Sequence, residues 1–397
     1  MARISSIERS QIQIRARWHG AIAAVRALAA PLTSRELEVF EWARDDILRA
    51  RLPNGPDWMK LTQKRPHMTF SGWRLAHAVL KAEFASPSHP RLQNLGFLWE
   101  SAGYIDWRHR NLRLLGGEGE EGRDFTPSSY AGRLAQGLSI LFGEDQNFHF
   151  KALIAQLPEA RPYLRGGRQA KAADFVFENP QGQRMVLESK GSFSIPENDP
   201  TAVKSILRGA LRYQVDPWLN RLRPAATKGF AVLSCIRKAD LATPSALIYV
   251  DPPAEDTGKD GIPVPPSWVR RQNYATWLNA MGLHGPARRL RDGGEYSLEA
   301  YPFRVVDYRS LRLAIPDDWY TMAPFWRAQP AIEMGALKAI SAALRGDDTA
   351  LLAYGTYGTE RTADTAYTPE NGSLMGDGTY FGEIEPFKRE DRIKVEL

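Results

Sequence analysis

The chain has 397 residues, of which 43% are hydrophobic and 25% are charged, and its formal net charge is +6. These values predict a globular protein of two or three domains and exclude a chain that is disordered throughout. The apolar runs are too short for a membrane span, the first residues lack the apolar core of a secretion signal, and the single cysteine, Cys235, cannot form an internal disulfide. We therefore expect a cytoplasmic protein with no membrane partner.

The amino-terminal part of the chain is predicted to be mainly helical. We predict helices over residues 7–29, 33–51, 72–85 and 91–102. Thr33 and Glu36 have the spacing of a capping box at the start of the second helix.

Residues 103–115 follow these helices with the pattern of a short β-hairpin, and Arg108 and Arg110 lie in its turn. A group of helices that ends in such a hairpin resembles the winged-helix family, in which this turn is the wing. The resemblance implies that Arg108 and Arg110 contact DNA phosphates or a minor groove. The alternatives are a winged helix that contacts another protein and a helical domain with an unrelated hairpin.

Two segments predict domain boundaries. Residues 116–122, with the sequence GGEGEEG, are typical of a flexible linker, and residues 252–266 form a proline-rich connector. We therefore expect a winged-helix-like domain over residues 1–117, an α/β core over 126–253, and an α+β extension of unassigned role over 254–397.

The core is predicted to contain a β-hairpin over residues 173–190. Asn179, Pro180 and Gly182 suit a type I turn that is closed by a glycine in the left-handed region. Such a turn gives a three-residue loop and pairs Asn179 with Gln183.

This register determines which side chains share a face of the hairpin. Counting outward from the turn places Asp174 opposite Glu188, with Lys190 two residues further along the same face. The other face is predicted to be apolar, with Phe175 and Phe177 paired with Leu187 and Met185.

Two carboxylates that face each other repel, so a hairpin with a purely structural role would avoid this pair. A hard divalent cation such as Mg²⁺, or Mn²⁺ in its place, removes the conflict by taking both carboxylates as ligands. A lysine beside the ion can orient or deprotonate an attacking water and offset the charge of a phosphate. Asp174, Glu188 and Lys190 therefore predict phosphodiester hydrolysis. The alternative is an amphipathic hairpin with a solvated acidic pair and an incidental lysine.

Asp174, followed by Glu188-Ser189-Lys190 at the end of an apolar strand, resembles the PD-(D/E)xK nuclease superfamily. The resemblance covers about residues 128–250 and implies the restriction-endonuclease-like fold, an α/β mixed sheet flanked by helices. It also implies that Asp174 and Glu188 bind the metal and that Lys190 acts on the water. Ala173 precedes the first acid, where the motif of the family has proline.

The first core helix is predicted over residues 129–142, and in some members of the superfamily this helix supplies a metal-binding Glu. This chain has Gln136 there and no acid before Glu144. We therefore expect the metal to be held by the two hairpin carboxylates and a backbone carbonyl.

A second core helix is predicted over residues 201–215. Its periodicity places Gln214 on the face that covers the sheet, and related nucleases often carry a glutamine in this helix, so Gln214 is a fourth candidate site residue. Lys204, Arg208 and Arg212 are spaced four residues apart on an adjoining face. This basic stripe is either an edge that follows a phosphate backbone or an ordinary solvated helix face.

The remaining elements complete the core and the extension. We predict strands over 228–236, 246–250, 296–306 and 311–315, helices over 268–281 and 331–344, and a loose ribbon or a partner-binding extension from residue 355. The aromatic residues beside Arg270 and Arg271 could stack on nucleic acid, but we expect them to pack the helix.

The expected function is therefore a Mg²⁺-dependent endonuclease that cleaves DNA, and the resemblance implies a role in prokaryotic defence against foreign DNA. Possible protein partners under this hypothesis are a second copy of the chain, which would form a homodimer, and another protein of a defence complex. The alternatives are an inactive nuclease-fold scaffold or nucleic-acid-binding subunit of a larger complex, and a nuclease that cleaves RNA.

Overall fold

A computed structural model gives the structure of the protein. It describes residues 35–49, 58–83, 101, 104–106, 109–115, 127–164, 171–193, 195, 199–253, 261–293, 297–308, 311–317, 328–355, 372–384 and 390–397. The helices predicted over 7–29 and 91–102 lie outside the described residues, apart from Ser101 in the second. Within the described ranges, no helix combines the length and the apolar character needed to cross a membrane.

The described strands are numbered in chain order. They are β1 (Arg35–Glu41), β2 (Gln63–Phe70), β3 (Ile105–Asp106), β4 (Arg113–Leu114), β5 (Phe150–Leu153), β6 (Phe175–Glu178), β7 (Arg184–Ser192), β8 (Leu222–Arg223), β9 (Lys228–Cys235), β10 (Arg237–Lys238), β11 (Ala246–Val250), β12 (Ile262–Pro263), β13 (Ala300–Tyr308), β14 (Leu311–Pro316), β15 (Ala328–Glu333), β16 (Gly372–Leu374), β17 (Thr379–Glu383) and β18 (Glu390–Glu396).

The described helices are numbered in the same way. They are α1 (Arg44–Leu48), α2 (Gly72–Glu83), α3 (Pro127–Asp145), α4 (Arg161–Leu164), α5 (Pro200–Ala210), α6 (Asp216–Leu219), α7 (Trp268–Ala280), α8 (His284–Asp292), α9 (Met334–Leu344) and α10 (Thr349–Ala353). A π-helical turn, Leu211–Val215, joins α5 to α6.

The fold is α/β, as predicted, and its centre is a seven-stranded mixed sheet in the order β2-β1-β11-β9-β7-β6-β5. Strands β5, β6 and β7 are antiparallel neighbours, and α5 then leads to β9, which lies parallel to β7. Helix α3 packs on one face of this sheet and α5 on the other. The predicted helices at 72–85, 129–142 and 268–281 and the predicted strands at 228–236 and 246–250 are confirmed as α2, α3, α7, β9 and β11.

The helix predicted over residues 33–51 is wrong, because residues Arg35–Glu41 form strand β1 and only Arg44–Leu48 are helical. Leu37 and Val39 are both buried and alternate with half-buried residues, which is the period of a strand. The strand pairs in parallel with β11, so the gain from central sheet pairing outweighs the capping signal of Glu36.

The predicted linker at 116–122 does not separate two sheets. Strands β1 and β2 precede it in the chain, yet both lie in the same sheet as β5, β6 and β7. The predicted hairpin at 103–115 is present as β3 paired with β4, and β4 also pairs with β10 beyond β9. The amino-terminal strands are therefore built into the core.

The carboxy-terminal region contains a second sheet of six strands in the order β16-β17-β15-β14-β13-β18. The predicted helix at 331–344 begins only at Met334, because the preceding residues form β15. The region from residue 355, predicted as a loose ribbon or a partner-binding extension, is not loose in its described parts, since β16, β17 and β18 are all strands of this sheet.

A buried ion pair attaches the second sheet to the core. Asp377, in the turn between β16 and β17, accepts hydrogen bonds from Lys81 Nζ (2.8 Å) and from Asn273 Nδ2 (2.7 Å). All three side chains are buried. Burial opposes ionisation of Asp377, but the ammonium of Lys81 and the hydrogen bonds from Asn273 and Thr379 outweigh it and lower the pKa of Asp377 to about 2.

Helix α7 adds a second connection at the edge of the central sheet. Arg270 is buried and its Nε donates to Glu178 of β6 at 2.7 Å, while its other nitrogens donate to main-chain oxygens that include Tyr354 and Pro180. Asn273 accepts the main-chain N–H of Lys151 in β5. The exposed edge of β5 is thereby covered, which protects a sheet edge from pairing with other chains.

We predict that Asp377→Ala lowers the free energy of unfolding by about 3 kcal/mol at neutral pH, because it removes the nearer carboxylate of buried Lys81 and leaves only Glu144, at 4.0 Å, as a counter-ion. Urea denaturation measures this loss. The matched control is Asp391→Ala, which removes an exposed pair with Arg312 and should change stability far less. Equal effects of the two substitutions would show that the buried pair does not hold the two sheets together.

Candidate active site

The predicted turn is confirmed at residues 179–182. Gly182 has φ +79° and donates its N–H to Asn179 O at 3.0 Å. The side-chain oxygen of Asn179 accepts hydrogen bonds from the main-chain N–H groups of Gln181 (3.0 Å) and Gln183 (2.8 Å). The main-chain N–H of Asn179 donates to Gln183 O. Gly182 is needed here because its backbone lies in the left-handed region, which other residues rarely adopt.

The register that follows from the turn is also as predicted. Phe175 pairs with Leu187 and Phe177 with Met185, and all four are buried on the same face. One position further from the turn, Asp174 therefore lies opposite Glu188 on the other face.

Each of the two carboxylates accepts a hydrogen bond from a main-chain N–H of the opposite segment of the hairpin. The N–H of Asp174 donates to Glu188 Oε2 at 2.9 Å, and the N–H of Ser189 donates to Asp174 Oδ2 at 2.9 Å. Lys190 Nζ donates to Glu188 Oε1. The structure thus brings together the three residues that the sequence predicted, and these bonds fix the directions of both carboxylates.

The site places two acidic side chains and one lysine in a largely buried position. Glu188 is fully buried, Asp174 is half-buried, and the side chain of Lys190 is 36% exposed. Burial and then the charge of Asp174 raise the pKa of Glu188 to about 7. Burial also raises the pKa of Asp174. One ammonium does not compensate two carboxylates, so the pair retains unbalanced negative charge when both are ionised.

Helix α3 lies on the face of β7 opposite to Glu188 and Lys190. Ser139 Oγ of α3 donates to Ser189 Oγ at 2.9 Å, and a side chain at Gly191 would collide with the main chain of Ala131. In the part of the chain that the structure describes, no group of three or more His, Cys, Asp or Glu side chains is arranged to hold a metal. The two hairpin acids are therefore the carboxylates that this site offers.

Helix α5 and the π-helical turn cover the face that carries the site. Leu207 and Leu211 belong to the same buried cluster as Ala231 and Leu233, which are the β9 partners of Glu188 and Lys190. Asp199 caps the start of α5 by accepting the N–H of Thr201 at 2.9 Å. The site lies between this helix and the sheet.

Gln214 is buried in the π-helical turn and its Nε2 donates to Ala172 O at 2.9 Å. Trp218, one turn later, donates its Nε1 to Lys171 O at 2.9 Å. Both bonds hold the main chain immediately before Asp174, so Gln214 is a positioning residue. Sequence reasoning missed Trp218, although its spacing of four residues from Gln214 places both on one helix face. A π-helical turn inside a helix is often found at a functional site.

The basic stripe on α5 does not form a continuous exposed edge. Lys204 is buried, and the Nε of Arg208 donates to Ile47 O at 2.9 Å while its Nη2 donates to Arg49 O, so this face of α5 binds the end of α1. Arg212 alone is exposed. The stripe was predicted from helical spacing, which does not reveal that α1 packs against it.

The two arginines predicted for the wing have separate outcomes. The guanidinium of Arg110 pairs with Glu36 of β1, although its side chain remains 73% exposed. Arg108 lies outside the described residues. The aromatic residues beside Arg270 and Arg271, namely Trp268, Tyr274 and Trp277, are buried, as expected for packing.

Comparison with protein-family models, with curated proteins and with solved structures found no match for this chain.

We predict that Glu188 makes the metal-free protein less stable as the pH rises from about 4.5 to about 7, because its pKa is raised to about 7 in the folded state and is 4.5 in the unfolded state. Buried His77, whose pKa is lowered to about 3, acts in the opposite direction over much of this range, so the contribution of Glu188 is measured as a difference between the parent and a Glu188 variant. The loss that this group contributes is at most about 3 kcal/mol. Denaturation in the presence of a chelator at several pH values measures it.

Glu188→Gln should remove this contribution, since a neutral amide has no proton to lose, so its stability should fall less or rise more steeply with pH than that of the parent between about pH 4.5 and about pH 7. Glu159→Gln, at an exposed position, is the matched control and should leave the slope as it is in the parent. An unchanged slope in Glu188→Gln would contradict the raised pKa.

Proposed function

We propose that this chain is a metal-dependent nuclease that hydrolyses phosphodiester bonds of DNA. The observation that carries the proposal is the carboxylate pair of Asp174 and Glu188, cross-bonded through the main chain and joined by Lys190 on one face of the hairpin. Buried acids with raised pKa values beside a lysine are uncommon outside functional sites.

The order of the core elements supports the same reading. Helix α3 is followed by the antiparallel strands β5, β6 and β7, and α5 then leads to β9, parallel to β7. This is the order that the resemblance to the PD-(D/E)xK superfamily implies, and both candidate acids lie on its β6–β7 hairpin. The proposal of a restriction-endonuclease-like fold rests on this order and on the motif.

The donors of the site fit a divalent cation. The carboxylate oxygens are hard ligands, their directions are fixed by main-chain bonds, and the pair has more negative charge than Lys190 compensates. Asp174 and Glu188 would hold Mg²⁺ or Mn²⁺, with the remaining positions filled by water, substrate oxygens or a main-chain carbonyl. Such an ion, when bound, polarises the scissile phosphate and makes water more acidic.

The residues around the ion site have distinct roles in the proposed reaction. Lys190 is partly exposed, so its ammonium can move from Glu188 to the attacking water or to a phosphate oxygen. Gln214 keeps the main chain before Asp174 in place through Ala172 O. In hydrolysis the water oxygen forms a bond to phosphorus, and the bond from phosphorus to the leaving oxygen breaks.

The substrate class is supported by charge. The net charge of +6 favours a polyanion, and a phosphodiesterase site makes nucleic acid the natural one. The family resemblance supports the finer parts of the proposal. These are the choice of DNA over RNA, a role in prokaryotic defence, and assembly with a second copy or a partner protein.

We predict that Asp174→Asn abolishes Mg²⁺-dependent cleavage of plasmid DNA and that Lys190→Met lowers the rate by about 100-fold or more, the usual contribution of a positioned acid or base. The matched controls are Asp240→Asn and Lys228→Met, which alter exposed side chains of the same types. Cleavage rates of the five proteins, with and without a chelator, give the comparison. Equal rates for parent, Asp174→Asn and Lys190→Met, both on plasmid and on single-stranded DNA, would exclude this site.

A second candidate function is a non-catalytic scaffold that keeps the nuclease fold. It is favoured by the absence, among the described residues, of a third acid near Asp174 and Glu188. Titration calorimetry with Mg²⁺ or Mn²⁺ in the presence of DNA separates the two functions. A nuclease binds the ion and loses this binding in Asp174→Asn, whereas a scaffold shows no binding in either protein.

A further inference from the structure

Exposed aromatic and basic side chains lie next to the candidate active site. Tyr213 is 55% exposed and Tyr163 is 45% exposed, and they are the large aromatic side chains left open to solvent in the described part of the chain. Lys171, Arg212 and Arg221 are exposed as well. The segments that carry Lys171 and Tyr213 are joined by the hydrogen bonds from Gln214 to Ala172 O and from Trp218 to Lys171 O. We call the five exposed residues the Tyr213 surface.

The Tyr213 surface is connected to the site by hydrogen bonds. Tyr213 directly precedes Gln214, whose amide holds Ala172 O, and Asp174 is two residues further, at most about 7 Å along the chain. Trp218 holds Lys171 O from the same helical segment. The ring of Trp218 is also approached by the guanidinium of Arg221 at 6.0 Å. The surface and the carboxylates therefore share one rigid support.

The charges of this surface are not neutralised by acids. In the regions covered by the structure, no carboxylate forms an ion pair with Lys171, Arg212 or Arg221. The guanidinium of Arg221 lies 5.5 Å from the ring centre of Tyr163, a cation–π arrangement that places this cation beside a ring that is 45% exposed. The surface thus combines cations with accessible ring faces, and it is complementary to a polyanion that carries flat bases.

We propose that the Tyr213 surface binds unpaired nucleotides and makes single-stranded nucleic acid, or an unpaired segment next to the scissile phosphate, the preferred substrate. The inference rests on the proposed nuclease function and adds the substrate's strandedness to it. Bases inside a duplex are stacked on each other and offer no face to a tyrosine, whereas unpaired bases stack on aromatic rings regardless of sequence. A tyrosine can also contact a duplex phosphate through its hydroxyl, and Tyr213→Phe separates this contact from stacking because it removes the hydroxyl and keeps the ring.

The test uses the full-length protein carrying Asp174→Asn, so that binding is measured without cleavage. Fluorescence anisotropy compares a labelled single-stranded DNA, the same strand in a duplex, and single-stranded RNA of the same sequence. We expect tighter binding of the single strands than of the duplex. Tyr213→Ala or Tyr163→Ala should weaken single-strand binding about 5-fold to 100-fold, the range for loss of one stacked base.

The controls distinguish stacking from charge and from misfolding. Tyr213→Phe keeps the ring and should bind within about 2-fold of its parent. Leu298→Ala and Arg288→Ala remove an exposed apolar and an exposed basic side chain elsewhere and should have no effect. Equal affinity for single strand and duplex, or unchanged affinity in Tyr213→Ala, would overturn the inference.

The outcomes also separate this inference from the nuclease function. If the unsubstituted protein cleaves DNA and Tyr213→Ala binds as well as its parent, the proposed role of the Tyr213 surface is wrong and the proposed nuclease function stands. If no substrate is cleaved but single-strand binding depends on Tyr213, the proposed nuclease function is wrong and the proposed role of the Tyr213 surface stands. A difference between the DNA and RNA arms identifies which single strand the surface prefers.

Discussion

The pairing of β6 with β7 is the constraint on which the candidate site depends. A slip of one residue would move Asp174 and Glu188 to opposite faces, because side chains alternate along a strand. The turn at Asn179 and Gly182 fixes this register at one end, and the reciprocal bonds between main-chain N–H groups and the two carboxylates fix it at the other. The hydrogen bonds of the two carboxylates therefore help to fix the strand register that places them opposite each other.

Keeping two acids this close requires support from the rest of the fold. The raised pKa values of Glu188 and Asp174 mean that the folded protein disfavours their charged forms, so other contacts must hold the hairpin in place. Helix α5 packs over one face, α3 over the other, and Arg270 binds Glu178 just before the turn. The buried Lys81–Asp377 pair then attaches the second sheet to the same core.

Local patterns in the sequence predicted the parts of this site that depend on local geometry. The turn residues fix the register, and the register places Asp174, Glu188 and Lys190 together without further information. Strand β1 was mistaken for a helix because its capping signal is local, whereas its pairing with β11 joins residues about 200 positions apart. Helical spacing left two alternatives for Lys204 and Arg208, a phosphate-binding edge or a solvated face. The tertiary structure instead buries Lys204 and bonds the half-buried Arg208 to the main chain of α1.

The sequence by itself determined the α/β class, the hairpin and the identity of its three polar residues, because turn chemistry and the two-residue period of a strand act over short distances. Only the tertiary structure decided which cations face solvent, that the amide of Gln214 donates to Ala172 O, and that both ends of the described chain pack on one core. These features depend on contacts between segments far apart in the chain, and no local pattern encodes which segments meet.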